Sequence, residues 1–198
     1  MHRQLMEGLS FVGRNFVFTS LIGLALFNSL FALSYITLLP IFADVYFGMG
    51  SAGYGLLQAA HGAGALLGTL TIATIAHRIR RPGQALLVGA ACVGFFLVAF
   101  ARSPWIWLAL PVLVLIGFSN TFYLTQVSTL IQQKTPDHLR GRVLSLYSLC
   151  WNLVPIGGLI AGVLAAAVDA RFAVLVGGAM VAANALLLLS SRRLRTIR

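Results

Sequence analysis

Six long runs without a single Asp, Glu, Lys or Arg divide this chain: 15–43, 45–76, 82–101, 103–133, 143–168 and 172–191. They hold 29, 32, 20, 31, 26 and 20 residues. A helix rises about 1.5 Å per residue, so roughly 20 apolar residues cross a hydrocarbon core about 30 Å thick. Each run is therefore long enough to cross once. None alternates apolar and polar residues as the strands of a membrane barrel do, which excludes that architecture. Composition agrees, with 59% hydrophobic and 9% charged residues; a soluble domain carries about 25% charged residues. In water, 198 residues cannot enclose so much apolar surface. The predicted fold class is an all-α membrane protein of six transmembrane helices.

The net charge of +10 is placed for topology rather than for nucleic acid. With an even number of crossings, both termini share a side with the second and fourth loops. That side carries Arg3, Arg14, Arg78, Arg80, Arg81, Lys134, Arg140, Arg142 and four arginines of the tail; the other carries only Arg102 and Arg171. Twelve basic residues against two is a positive-inside bias, so both termini are expected in the cytoplasm of a multi-pass inner-membrane protein. The basic residues then lie beside an anionic lipid leaflet. Cys92 and Cys150 fall inside spans and read as small apolar packing residues. No metal site, cofactor or nucleic-acid partner is predicted. The first apolar run is too long for a signal-peptide core and lacks a cleavage pattern after it.

Residues 1–15 read as a cytoplasmic interfacial segment, since Leu5, Leu9, Val12 and Phe16 recur at helical spacing with Arg3, Glu7, Ser10 and Arg14 on the other faces. The bundle covers 16–190 and a basic tail covers 191–198. Span 1 runs from about 16 to 42, with Pro40 bending its far end. Span 2 covers 52–76, span 3 84–101, span 4 105–131, span 5 143–168 and span 6 172–190. Trp105 and Trp107 sit at aromatic-belt depth. In the loop 134–142, Thr135 is placed to cap a helix whose first positions are Pro136 and Asp137.

Polar groups inside spans are costly unless they face another helix or water. Spans 3 and 6 are nearly featureless. Span 1 has Asn28 and Tyr35 on one face; span 2 has Tyr54, Gln58 and His61 at i, i+4 and i+7; span 4 has Ser119, Tyr123 and Gln126 with Asn120 beside them; span 5 has Ser145, Ser148, Asn152 and Pro155. The polar, polar, bland rhythm occurs twice. Three crossings per unit invert the second unit relative to the first, a construction known in secondary transporters. Gly64 and Gly68 in span 2, and Gly158 and Gly162 in span 5, stand at corresponding places as helix-packing positions.

The opening Met6-Glu7-Gly8-Leu9-Ser10-Phe11-Val12, the loop Thr135-Pro136-Asp137-His138-Leu139-Arg140-Gly141-Arg142-Val143-Leu144-Ser145-Leu146-Tyr147 and the run Pro155-Ile156-Gly157-Gly158-Leu159-Ile160-Ala161-Gly162 carry a resemblance. The chain resembles the C-terminal six-helix half of a major facilitator transporter, in the drug- and siderophore-exporting branch that includes enterobactin exporters. His77 and Arg80 stand where that family's basic loop has Asp and Gly. The resemblance implies that spans 1 and 4 line a central cavity, that spans 2 and 5 face another half, and that spans 3 and 6 face lipid.

Asn28, Tyr35, Asn120, Tyr123 and Gln126 are candidate substrate contacts, with interhelical hydrogen bonding as the alternative. Gln58, His61 and Asn152 are candidates for proton coupling or packing. No span holds a carboxylate, so an acidic relay comes from elsewhere or His61 serves. Arg78, Arg81, Asp137, Arg140 and Arg142 form a candidate cytoplasmic loop or gate. Few polar groups and many aromatics favour a small amphipathic or hydrophobic substrate. The expected partners are membrane lipid, that substrate, and a second six-helix half supplied by a parallel homodimer or a separate subunit. Two other readings are a truncated or degenerate product without transport activity and an intramembrane serine protease. The second rests on Gly117-Phe118-Ser119, which needs a His base in reach. Residues 172–191 contain none, and no enzymatic activity is expected.

Overall fold

The computed structural model describes residues 12–13, 15–75, 79 and 81–190, and every element among them is helical. Six helices are long and apolar enough to cross a membrane: Phe16–Tyr46, Gly50–Ile75, Pro82–Ala101, Ile106–Lys134, Asp137–Ala167 and Ala170–Leu189. These are spans 1 to 6, as the charge-free runs predict. Most of the expected interfacial segment, Arg78 and the basic tail lie outside the described residues.

Local chemistry sets the ends. Pro82 opens span 3 in its first turn, where its missing N–H would be unpaired in any residue. Span 4 stops at Lys134 because Thr135, preceding Pro136, is held extended (φ −87°, ψ 129°). Thr135 therefore does not cap the next helix, as the sequence suggests. Its hydroxyl donates back to the Ile131 carbonyl, closing span 4, while Pro136 precedes span 5 without a side-chain cap.

Spans 1 and 5 are interrupted. Span 5 consists of Asp137–Trp151 and Val154–Ala167. Pro155 has no N–H for the Trp151 carbonyl and its ring crowds that turn, which breaks the helix. Span 1 widens into π-turns at Asn28–Ala32 and Phe42–Tyr46 around the α-helix Tyr35–Ile41. The break between its halves leaves carbonyls that lipid cannot satisfy. Nearby hydroxyls do so: Ser34 Oγ donates to the Phe31 carbonyl at 3.0 Å and Thr37 Oγ1 to the Ser34 carbonyl at 2.7 Å.

Glycine contacts reveal the inverted repeat. A Cβ on Gly64 of span 2 would strike the Val114 backbone of span 4, and one on Gly117 would strike His61. The matching pair, spans 5 and 1, meets the same way, Gly157 on the Leu30 carbonyl and Gly158 on Thr37. Spans 3 and 6 meet reciprocally, with Gly94 against the Gly178 carbonyl and Gly178 against that of Gly94. Exchange of spans 1 with 4, 2 with 5 and 3 with 6 maps this contact set onto itself. Within the six-helix unit, a Cβ on Gly162 meets nothing within 4 Å. The turn that faces span 1 carries Gly157, Gly158 and the buried Ala161, and Gly162 lies past its edge.

The core has two layers. Toward the Asp44 and Asp169 end it gathers Leu39, Phe42, Phe100 and Leu113; toward the Lys134 end it gathers Leu87, Tyr123, Val127 and Val143. At the first end, the Tyr46 hydroxyl donates to Asp169. The Arg171 guanidinium lies 4.4 Å from the centre of the Tyr46 ring, a cation–π contact. Arg171 also donates to the Ser103 carbonyl at 3.5 Å. One cluster thereby joins spans 1, 3 and 6 at the Asp44 and Asp169 end of the bundle.

Candidate functional site

The polar residues of spans 1, 2 and 4 converge inside the unit. Asn28 Nδ2 donates to Asn120 Oδ1 at 3.2 Å across spans 1 and 4. The Tyr35 hydroxyl is bonded to His61 Nδ1 at 2.7 Å across spans 1 and 2. Within span 2, Gln58 Nε2 donates to the Tyr54 hydroxyl at 3.1 Å. Asn28, Tyr35, Asn120, Tyr123 and Gln126 are all buried, with relative exposures of 3, 2, 6, 0 and 5%. In this conformation those five side chains are turned into the bundle, and two of the interhelical bonds the sequence left open are made.

The Tyr123 hydroxyl is buried and has no hydrogen-bond partner among the described residues. Tyr123 also lines a small void with Asn28 of span 1 and Asn184 of span 6. Asn184 is a polar residue that the reading of span 6 as featureless missed. Its signal was a lone amide in the apolar stretch Ala182-Ala183-Asn184-Ala185-Leu186. The Asp169–Tyr46–Arg171 cluster was also missed, although Arg171 stood out as one of two basic residues against the charge bias.

A second arrangement is open rather than buried. In the most apolar stretch of each span, only 22% of span 2 and 17% of span 5 is buried, against 50% in spans 1 and 3. Span 3 is held inward by the Gly94–Gly178 crossing. Spans 2 and 5 nevertheless carry polar groups at membrane depth. Tyr54, Gln58 and His61 are half-buried, and Ser145, Ser148 and Asn152 are exposed. Asn152 sits at the break of span 5, as the cap residue of its first half. An exposed amide at an interrupted backbone is poorly suited to hydrocarbon and well suited to a protein or aqueous neighbour.

In the loop 134–142, Arg140 pairs with Asp137 at 2.7 Å and its Nε donates to the Gln132 carbonyl at 3.1 Å. The bond to Gln132 ties the start of span 5 to the end of span 4, while the ion pair lies within span 5. Asp137 is 88% exposed, so the bond itself contributes little to stability. Arg81 stands apart, exposed at the start of span 3, and Ser119 lines a groove with residues of span 3. The imidazole that a Ser119 nucleophile would need is bonded to Tyr35 of span 1.

The Asn28–Asn120 bond has a measurable weight. Hydrogen bonds between membrane helices contribute about 0.6 kcal/mol on average and about 1.7 at most. Asn28→Leu and Asn120→Leu are each expected to destabilise the unit. The double variant should cost less than the sum by a coupling in that range, because one deletion already orphans the other amide. Chemical unfolding in mixed micelles would measure this cycle, and strict additivity would show that the bond is not made.

The chain matches the transmembrane secretion effector family of major facilitator proteins over residues 1–197. It belongs to that family, whose members are multi-pass membrane transporters. Over 103 residues it is 39% identical to the enterobactin exporter EntS of Salmonella typhi, a match covering 50% of this chain and 24% of that protein. The EntS of Citrobacter koseri is 36% identical over 102 residues, and that of Escherichia coli O1:K1 is 31% identical over 111 residues, covering 56% of this chain and 26% of the relative. The aligned stretches thus span about a quarter of the curated relatives.

Proposed function

We propose that this chain is one six-helix half of a secondary-active exporter of small amphipathic or hydrophobic molecules, completed by a second six-helix unit docked on spans 2 and 5. The observation that carries this reading is that the two least buried spans carry polar groups that are half-buried in span 2 and exposed in span 5. A lipid-facing helix is exposed but apolar; a helix facing a shared cavity is exposed and polar. Alternating access by two bundles rocking about a midplane site gives such a face its use. The named activity of the relatives, export of enterobactin, supports an outward direction and an amphipathic substrate class.

Within this reading, Tyr54, Gln58, His61 and Asn152 line the shared cavity. Asn28, Tyr35, Asn120, Tyr123 and Gln126 hold spans 1, 2 and 4 in register behind it, and meet substrate only when span 1 moves at its π-turns. The basic bias places both termini and the loop 134–142 in the cytoplasm. The second unit has the same orientation, and a second copy of the chain can supply it.

Cross-linking tests the docking face. In a Cys92→Ala, Cys150→Ala background, Asn152→Cys in lipid nanodiscs is expected to form a disulfide-linked pair under mild oxidation. Leu187→Cys on span 6 should not. Cells making the chain with its partner unit should export a fluorescent amphipathic dye, and His61→Ala or Gln58→Ala should lower that rate several-fold. A chain that stays a single six-helix particle at every concentration, with Asn152→Cys freely alkylated and no dye export, would overturn the proposal.

A further inference from the structure

A groove of about 420 Å³ runs between spans 3 and 4, outside the polar network and away from the open faces of spans 2 and 5. We propose that it binds one anionic phospholipid, headgroup at Arg81 and one acyl chain along Gln84, Val88, Cys92, Phe118 and Phe122. The inference concerns a different surface from the docking face proposed above, and it borrows from that reading only which leaflet supplies the lipid.

Three observations identify the occupant. The first is length. The groove extends along span 3 from Arg81 to Cys92. At about 1.5 Å per residue that depth is roughly half of a 30 Å hydrocarbon core, the reach of a chain in one leaflet. The second is shape. Gly89 and Ala85 supply almost no side chain on the span 3 wall. Phe118 and Phe122 stack on the other wall, with ring planes 16° apart and centroids 6.4 Å apart. Spans 3 and 4 touch at Gly89, where an added Cβ would lie 3.4 Å from Tyr123 Cβ, so the groove has a floor and opens to the membrane.

The third is charge. Arg81 is exposed at the mouth, and the sequence places Arg78 and Arg80 just before it. Among the described residues no carboxylate answers it. Asp137 is committed to Arg140, while Asp44 and Asp169 lie at the opposite end of the bundle. A cation at one end of a chain-length apolar groove matches a phosphodiester followed by an acyl tail. A cationic or small polar solute matches neither part.

Photo-cross-linking of the full chain in phosphatidylcholine vesicles tests the assignment. The probe is phosphatidylglycerol with a diazirine midway along one acyl chain, compared with the same probe on phosphatidylcholine. Labelling is expected to concentrate on the peptides bearing Val88, Cys92, Phe118 and Phe122. The phosphatidylglycerol probe should exceed the phosphatidylcholine probe there about fivefold, the factor one basic residue supplies at an anionic surface. Arg81→Gln should bring the two probes level. Val88→Trp, at a side chain already 52% exposed, should block both while leaving the thermal midpoint unchanged. Equal labelling by the two probes in the unaltered chain, or labelling spread evenly over all spans, would overturn the proposal. Displacement by inorganic phosphate alone would reassign the mouth to a free anion. Displacement by a neutral amphipathic dye that added lipid cannot reverse would reassign the groove to substrate. Because the vesicles are symmetric and cross-linking needs no second unit, failure of the exporter reading leaves this result untouched.

Discussion

Gly64→Val is expected to destabilise the folded protein strongly. An added Cβ at that position would overlap the Val114 carbonyl oxygen and come within 2.7 Å of its carbon and 2.9 Å of its Cα. Overpacking usually costs about 1–3 kcal/mol when side chains can yield. Here every obstacle is helix backbone, so relief requires spans 2 and 4 to separate. That separation also loosens Gly68 from the Phe118 carbonyl, where a Cβ would stand at 2.7 Å, and Gly117 from His61. The expected cost is therefore about 3 kcal/mol or more. For a chain of this size, that lowers the thermal midpoint by on the order of 10 °C. Gly62→Ala is the control, since a Cβ at Gly62 meets nothing within 4 Å and alanine improves helix propensity. Melting followed by near-ultraviolet circular dichroism in mild detergent separates the two. An unchanged midpoint for Gly64→Val would remove the close crossing of spans 2 and 4 and the repeat symmetry built on it.

The second large effect concerns the junction of the two interrupted helices. Gly157→Val places its Cβ on the Leu30 carbonyl, inside the π-turn of span 1, with the Leu30 Cα at 2.9 Å. The expected destabilisation is about 2–3 kcal/mol. On the exporter reading proposed above, in which span 1 moves at its π-turns, export should also fall strongly. Gly162→Val, five residues further along the same helix, places its Cβ where nothing lies within 4 Å and should change the stability of the six-helix unit by no more than about 0.5 kcal/mol. Its effect should fall on association, since Gly162 belongs to the open side of span 5. A midpoint shift for Gly162→Val equal to that of Gly157→Val would sink this division of roles.

Comparison of the glycines shows what pattern can and cannot reveal. Gly64-x-x-x-Gly68 and Gly158-x-x-x-Gly162 look equivalent as strings. The first pair is a contact at both positions; the second is a contact only at Gly158, with Gly157 taking the tighter place. The break after Trp151 shifts the helical phase, and a four-residue motif carries no record of that rotation. Asn28 and Asn120 show the same limit. Their polarity marked them, but whether they face a cavity or each other depends on how two helices 92 residues apart are turned. The groove beneath Arg81 left still less trace, because a concavity is made by residues that are small or absent from a wall.

The order of charged and uncharged residues along the chain was sufficient for the number of crossings, their approximate ends and the class of the protein. Each of these follows from a local rule: the transfer cost of a charge into hydrocarbon or the rise of a helix. Tertiary structure alone decided which polar groups are spent on one another, which glycines are crossings, and which faces are left unpaired. Those outcomes depend on helix rotation and on backbone approach between distant segments. Both are set by the packing of all six spans together.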